Sequence, residues 1–562
     1  MPVEMSRRQI LAGVGALAIG VAARAEDTVP DVGGQWDEAA GLIAEKVGGI
    51  GYHTTLPTGM RVHPTRSNLD YALRLLNASA SEATVQRASR VIATILGYQD
   101  TDPASANYGI WPWYVEESLA QMAPPDPNWA NFNGARISEL LLDYPAVLAP
   151  DLQEKMRRSL ECACASIIRR DVGPGYTNIA MMAARVTLAG GQILQRREFS
   201  DYGRDHLRLM LDYTREQGGF NEYNSPTYTM VALEELEAIL GTVRDPIAQA
   251  DAETLFRMTW QSIAEHWHPA SSEWAGPHSR GYTDRLGKDI RAKLAARTGL
   301  PLTLDSVPPL AGRAMRCPAD LVGRFQRLPQ SEIFEHIRFI RKADDDKSTY
   351  GSTWLSAGAC LGSANREGLW TQHHPVIGYW PGKGQANVFR VRTLKDGKDF
   401  ASMGVTAVQK GARILLGVHP IAGAGDWHVT LDRPKDGVFQ GQELRIRFSL
   451  DGEGAAIEQA APDHYRLAAD GWKIVIRLSG PAADWQMVRQ EGLVALDYVR
   501  KLGGAFTIES LHDLLVPACI ALLPAQAVEP SAPMKRERVT PGFDRLRWGD
   551  DMDVVVPHTQ YL

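Results

Sequence analysis

Two stretches of this chain place residues that can move protons beside residues that can hold a carboxylate. The first is Gly218-Gly219-Phe220-Asn221-Glu222-Tyr223-Asn224-Ser225-Pro226-Thr227-Tyr228. Its paired glycines stop one helix. Ser225-Pro226 starts the next, with serine as N-cap and proline in the first helical position. Tyr228 then falls in the first turn, where unpaired N–H groups and the positive end of the helix dipole welcome an anion. A phenol in such a field, near a cation, is a candidate acid or base, with Glu222 and Tyr223 beside it as substrate contacts. The second stretch is Trp274-Ala275-Gly276-Pro277-His278-Ser279-Arg280-Gly281-Tyr282. His278 can exchange a proton near neutral pH, Arg280 can grip a carboxylate through two hydrogen bonds, and Tyr282 adds a second phenol. Both stretches also admit a plain structural use, as a capped helix packed on its own loop and as a solvated turn.

Three further segments carry candidates. Gly173-Pro174-Gly175-Tyr176-Thr177-Asn178 opens a helix, and the Asn178 amide either caps that helix or donates to a substrate carboxyl. Trp111, Trp113 and Tyr114, just ahead of Glu116 and Glu117, form either a stacking wall for a sugar ring or a core plug. In Trp370-Thr371-Gln372-His373-His374-Pro375, adjacent histidines on a strand face opposite ways, so one of the two can face a cleft. Neither that pair nor His266 with His268 has a carboxylate or cysteine at an obvious metal-ligand spacing.

The elements needed to position these loops are legible in the residue pattern. From about residue 36 to 330 helical signals repeat: Ser79-x-x-Glu82 before a run ending at Gly97, Asp151-x-x-Glu154 before another, and helices from Asn178, about Arg204, Ser225, 252 and 284. Short polar loops make successive helices antiparallel neighbours, a ring or bundle of helical hairpins. Beyond about 345 the period becomes two, in Asn387–Arg392, Glu443–Phe448 and Trp472–Arg477, with Asp-Gly turns at 396, 451 and 470. Many strands with few helices between them predict an antiparallel β-sandwich, with 330–348 as the linker.

Composition narrows the class of function. The 562 residues are 44% hydrophobic with a formal charge of −6, which excludes disorder as the main state and a basic nucleic-acid footprint over the whole chain. Fourteen Trp and 17 Tyr, many in polar company, suit a wet aromatic cleft. Ser6-Arg7-Arg8-Gln9-Ile10-Leu11, a short apolar run and Ala23-Arg24-Ala25 read as a twin-arginine export signal over 1–25, too short to anchor in a bilayer. Its removal would leave the mature chain at −8 in the periplasm or outside the cell. The five cysteines show no Cys-x-x-Cys pair and read as small buried apolar residues. The expected organisation is thus a signal at 1–25, a helical domain at 26–335 and a sandwich at 345–562.

The stretch from Gly219 to Tyr228, with Glu222, Ser225-Pro226 and Tyr228, resembles the segment of heparinase II/III-like polysaccharide lyases that bears their catalytic tyrosine. Asn178 looks like the carboxyl-neutralising asparagine of those enzymes. The resemblance implies an α+β multidomain fold, an (α/α) toroid followed by an antiparallel β-sandwich. It also implies metal-independent β-elimination on a uronic-acid polysaccharide, with no cofactor. One departure is that Ile179, not histidine, follows Asn178, so His278, or else His373 or His374, must supply the imidazole. On this reading Asn178 and Arg280 neutralise the substrate carboxylate, Tyr228 or His278 removes the C5 proton, and Tyr228 protonates the departing oxygen. The partners are an anionic polysaccharide or oligosaccharide, with no nucleic acid and no stable membrane anchor. Two alternatives use the same residues. One is a glycoside hydrolase pairing Glu116 or Glu117 with Glu222, and the other is a non-catalytic carbohydrate binder built on the Trp111–Tyr114 cluster.

Overall fold

The computed structural model of the chain describes residues 29–48, 52–479 and 484–561. The export signal expected at 1–25 lies outside them. Nine α-helices run through the described residues: α1 Thr65–Ala78, α2 Glu82–Leu96, α3 Trp129–Asp143, α4 Pro150–Arg170, α5 Thr177–Leu194, α6 Arg197–Gln217, α7 Pro226–Thr242, α8 Pro246–Glu265 and α9 Lys288–Thr298. They pair as hairpins α1–α2, α3–α4, α5–α6 and α7–α8, and the odd-numbered helices pack successively on one another as far as α9. The odd helices therefore form an inner layer and the even ones an outer layer, which is the (α/α) toroid arrangement.

Burial follows that division. Inner α5 is buried on every side through Met181, Ala184, Val186 and Leu188, whereas outer α6 buries only a stripe, including Phe199, Leu207, Met210 and Leu211. The inner layer is also tied by charge. Arg136 of α3 pairs with Asp70 of α1 and with Glu139. Arg185 of α5 reaches Glu139 at 3.2 Å and Glu235 of α7 at 3.1 Å, and Arg297 of α9 reaches Glu237 of α7 at 2.6 Å. Buried charges of this kind are tolerable because each has a hydrogen-bonded partner.

The described strands lie mainly in two antiparallel sheets, of nine and eight strands. Phe389, Val391, Phe448 and Leu450 of the first sheet meet Ile414, Leu416, Ile474 and Ile520 of the second in a continuous apolar core. The sandwich is antiparallel throughout, except where short Gln560–Tyr561 runs beside Arg413–Ala422. A three-stranded sheet of Met534–Thr540, Phe543–Trp548 and Met552–Pro557 covers the outer face of the second sheet. The fold is thus α+β, a toroid of helical hairpins followed by an antiparallel β-sandwich.

Several local expectations shift. Residues 35–62, expected to be helical, hold the short strands Gln35–Asp37, Leu42–Lys46 and Arg61–Val62. The Asn68 side chain of α1 both accepts from Ile43 N and donates to Ile43 O, so the middle strand is paired from the helix side. Ser81, not Ser79, caps α2: the helix opens at Glu82, and the Ser79 Oγ is taken by the Ser81 N–H. Pro150 opens α4 one residue before Asp151, and α6 begins at Arg197. The expected linker contains a strand, Glu332–Ile340, paired with Thr349–Ser356 at the edge of the first sheet.

The first sheet and the helical layer meet through a close backbone contact. A Cβ at Gly362, in strand Cys360–Ala364, would lie 1.9 Å from the Gly276 carbonyl oxygen, so only glycine admits the approach. Thr353 Oγ1 donates to that same carbonyl at 2.8 Å, and Arg285 reaches the Ala386 carbonyl at 2.6 Å and Asp451 Oδ1 at 2.7 Å. These contacts lay the 274–282 loop on the sheet.

Candidate active site

The site forms where the end of α6, the start of α7 and the 274–282 loop converge. Gly218 ends α6 in the left-handed region at φ +100°, and α7 opens on Ser225, whose Oγ accepts the Tyr228 N–H at 3.0 Å. The same Oγ donates to Arg280 O at 2.6 Å. Asn224, at φ +43°, donates from Nδ2 to the Ala275 and Pro277 carbonyls, each at 2.8 Å, and accepts from Trp274 Nε1 at 2.5 Å. Asn224 and Ser225 therefore staple the second loop to the start of α7. This is the physical reason that residues some fifty positions apart share a cleft.

Around Tyr228 the geometry is specific. Arg280 Nη2 donates to Tyr228 Oη at 3.2 Å, and the guanidinium carbon lies 4.8 Å from the Tyr228 ring centre and 5.0 Å from that of Trp370. Arg280 Nε donates to Gln372 Oε1 at 2.8 Å, so the sandwich side fixes the guanidinium plane. Tyr282 Oη lies 2.6 Å from Tyr228 Oη. Arg280 Nη1 faces Glu222 Oε1 at 3.6 Å, beyond hydrogen-bond reach. Glu222 Oε2 accepts from the Asn178 N–H at 2.9 Å and from Asn178 Nδ2 at 2.7 Å, while its Oε1 is buried without a hydrogen bond among the described residues. Burial pushes the Tyr228 phenol above its ordinary range, with Arg280 opposing. Burial likewise raises the Glu222 carboxyl, opposed by Arg280 and by both Asn178 donors.

The structure thus gathers Tyr228, Arg280, Tyr282, Glu222 and Asn178. Asn178 does not cap its helix; it is buried, and it gives its backbone N–H and one Nδ2 hydrogen to Glu222. His278 lies outside the group. It is 2% exposed, its Nδ1 donates to Asn224 O at 2.7 Å, and burial lowers its pKa to about 4. An isolated antiparallel bridge joins it to His374, which is also buried and held well below the ordinary imidazole range by burial. Laying the loop on the sheet turns both rings into the interface.

His373 takes the other direction. Its ring is only partly covered, with Nδ1 3.2 Å from Gly368 O and 3.3 Å from Glu367 Oε1. Burial opposes the Glu367 charge, but His373, the Gly368 N–H and the Tyr223 hydroxyl outweigh it and hold the carboxyl below its ordinary range. Both neighbours of Nδ1 are acceptors, so Nδ1 carries a proton. Tyr223 is buried, donates to Glu367 Oε2 at 3.0 Å and stacks on Phe339 at 4.4 Å, so it braces this dyad and is not placed to touch a sugar.

The aromatic candidates divide. Trp111 is 0% exposed with Nε1 on the Ile95 carbonyl, and belongs to the core. Trp113 is half-buried, stacked on Trp129 at 4.9 Å, with the His53 ring 5.2 Å away. Tyr114 lies edge-on to Trp113 at 6.4 Å. Glu116 is bound to His63, and buried Glu117 accepts from Thr54 and Thr55. The Glu222 pairing required for a hydrolase is not what these two carboxyls do.

Two residues of the cleft escaped sequence reasoning, Glu367 and His428. Asp432 accepts the backbone N–H groups of Asp426, Trp427 and His428, folding a tight loop that sets the His428 ring 4.6 Å from Trp370 and 4.7 Å from Tyr52. His428 Nδ1 accepts from Thr430 N at 3.1 Å, leaving Nε2–H as a donor, and burial holds its pKa at about 4. The available signal was the His428-x-x-x-Asp432 spacing. Among the described residues no group of three or more potential ligands could hold a metal ion.

Comparison with known proteins places residues 36–295 in a match to a domain of unknown function, DUF8769. No curated protein matches the chain. Among solved structures it is similar to a heparan sulfate lyase HepC mutant from Pedobacter heparinus, at 10% identity over 88% of this chain and 82% of that one, with a TM-score of 0.37. It is also similar to a heparinase III with methylated lysines, at 11% identity over 88% and 83%, TM-score 0.35. A third is the chondroitin AC lyase of Streptomyces coelicolor A3 in complex with chondroitin sulphate, at 11% identity over 88% and 80%, TM-score 0.48.

Proposed function

We propose that this protein is a polysaccharide lyase that cleaves an anionic, uronic-acid-containing chain by β-elimination. The observation that carries the reading is the Tyr228 phenol held by the Arg280 guanidinium at 3.2 Å, with Trp370 meeting that guanidinium at 5.0 Å and the ring of His373, paired with Glu367, at 5.1 Å. A C5 proton next to a carboxylate is hard to remove until the carboxylate charge is neutralised. Arg280 supplies that neutralisation, since its Nη1 stands 3.6 Å from Glu222, beyond hydrogen-bond reach, and the group always carries charge. Glu222, fixed by Asn178, sets the position of the guanidinium from the far side.

His373 takes the C5 proton on Nε2, and ionised Glu367 stabilises the imidazolium that forms. Tyr228, kept protonated by burial, gives its proton to the departing glycosidic oxygen. The product end is an unsaturated uronyl residue. No step calls for a metal or an organic cofactor. Trp113, stacked on Trp129, offers a flat face for a neighbouring sugar. The twin-arginine start fits delivery of such an enzyme to the periplasm or the medium.

The test is incubation with a panel of uronate-containing polysaccharides, followed by ultraviolet absorbance of the new conjugated double bond. Wild-type protein is expected to generate the signal on at least one member, and Tyr228→Phe to abolish it. Cleavage that yields only saturated ends would overturn the reading in favour of hydrolysis.

A further inference from the structure

We propose that Tyr282 is a proton relay that recharges Tyr228 from solvent after each turnover. The inference rests on the lyase reading above and adds a second phenol to its proton path. Tyr228 Oη has two polar neighbours among the described residues, Arg280 Nη2 and Tyr282 Oη. A guanidinium donates hydrogen bonds but does not surrender a proton near neutral pH, so it stabilises a phenolate without reloading it. Tyr282, at 2.6 Å, is the neighbour able to hand a proton across a formed hydrogen bond. It is 57% exposed, whereas Tyr228 is half-buried, so the pair runs from water to the site.

The ring geometry argues against simple packing. The two ring centres are 6.1 Å apart at 66°, and the rings meet through their oxygens. The backbone leading into Tyr282 is pinned as a relay requires. Arg280 O accepts from Ser225 Oγ at 2.6 Å, and Gly281 N donates to Gln372 O at 2.7 Å.

The proton count closes. In the elimination the C5–H and C4–O bonds break and a C4–C5 double bond forms. The C5 proton passes to His373, and the Tyr228 proton passes to the leaving oxygen. His373 then releases its extra proton to water. Tyr282 gives its proton to the Tyr228 phenolate and takes one from water, so the enzyme returns to its starting state with no net gain or loss.

The test uses Tyr282→Phe on the polysaccharide that gives the strongest absorbance signal, with Tyr228→Phe as control. Because Tyr228 starts protonated, the first turnover of Tyr282→Phe is expected at the wild-type rate, as a burst of one product per enzyme. Steady-state kcat then falls about 100-fold with KM within about twofold, and imidazolium buffer restores kcat in proportion to its concentration at fixed pH and ionic strength. Wild-type protein shows no such buffer dependence. A wild-type kcat, a slow first turnover, or a raised KM with unchanged kcat would each overturn the relay while Tyr228→Phe stays inactive. Absence of any absorbing product from wild-type protein, or full activity in Tyr228→Phe, would instead overturn the lyase reading.

Discussion

Replacement of Asn224 by alanine tests how the cleft is assembled. The Asn224 side chain makes three buried hydrogen bonds, two to loop carbonyls at 2.8 Å and one from the Trp274 indole at 2.5 Å. Alanine leaves the indole N–H and the Ala275 and Pro277 carbonyls without these partners. A buried polar group orphaned in this way costs roughly 1–3 kcal/mol. The left-handed backbone at φ +43° adds about 1 kcal/mol for a residue with a Cβ and no polar side chain. A simple sum therefore runs from about 4 to 10 kcal/mol, using the same per-group costs. Asn224 also lines a cavity of about 170 Å³, from which water can reach the orphaned groups, so the low end of that range, about 4 kcal/mol, is the expected loss. Denaturant unfolding followed by far-ultraviolet ellipticity reads the loss in the helical layer. Asn224→Gly separates the terms, because glycine removes the hydrogen bonds but tolerates the backbone, so it should unfold about 1 kcal/mol later than the alanine variant. Destabilisation of Asn224→Ala below about 1 kcal/mol would refute the claim that this side chain holds the two loops together.

Four further outcomes follow from the same geometry. Arg280→Lys keeps the charge but cannot bond Gln372 and Tyr228 together, and should lower kcat/KM by about 10²–10³ in the absorbance assay; unchanged kcat/KM would remove Arg280 from the mechanism. His373→Ala should reduce kcat by about 10²–10⁴ with wild-type ellipticity, whereas a loss confined to stability would show that the imidazole is structural. His268, buried with Nε2 donating to the Ser356 carbonyl, has its pKa lowered to about 4, so it is neutral when folded and protonated when unfolded in the window from about 6.5 down to 4. Its contribution is present above the unfolded pKa and is lost as pH falls, so His268→Gln should flatten the stability–pH curve by up to about 1.4 kcal/mol per unit in that window, and an unchanged slope would count against a neutral buried ring. Gly362→Ala must push the Gly276 carbonyl away from the sheet, and is expected to cut kcat with every cleft residue intact; retained kcat would show that the loop and strand separate without consequence.

The parts of the molecule legible in the sequence are those whose causes are local. Gly218, Ser225 and Pro226 mark the end of one helix and the start of the next within nine residues, and they place Tyr228 and Glu222 without help from the rest of the chain. The sandwich strands announce themselves by alternation, and the Asp396-Gly397 and Asp470-Gly471 turns take positive φ at both positions as two-residue hairpins require. Trp111 and Trp113 show where local reading stops. The chain there is not helical, so side chains two apart tend to share a face, yet one is a core plug and the other lines the cleft, because distant α2 and α3 decide what each meets. His278 is illegible for the same reason. Its role depends on a bridge to His374, nearly one hundred positions away in the other layer. Glu332–Ile340 is a strand on the sheet edge with Glu332, Phe334 and His336 exposed, so flanking Pro329 and the Asp344–Lys347 run made it resemble a linker.

The cleft residues come from both layers of the fold, and this explains why the interface between layers is built so tightly. The helical layer supplies Tyr228, Glu222 and Asn178, and its 274–282 loop supplies Arg280 and Tyr282. The sandwich supplies Gln372, which fixes Arg280, and the Glu367–His373 dyad. In the proposed reaction the proton leaves the sugar toward one layer and returns to it from the other, so the distance between acceptor and donor is set by how the layers dock. A flexible junction would blur that distance, and positional errors of about 1 Å are enough to cost a large part of the rate. The glycine-on-carbonyl contact at Gly362, the Arg285 clamp and the His278–His374 bridge all lie behind the cleft, where they remove that freedom without occupying substrate space. The two buried histidines expected to do chemistry thus act on it indirectly. They are neutral, ring-packed and joined backbone to backbone, so they hold the layers at the separation the phenol and the His373 imidazole need.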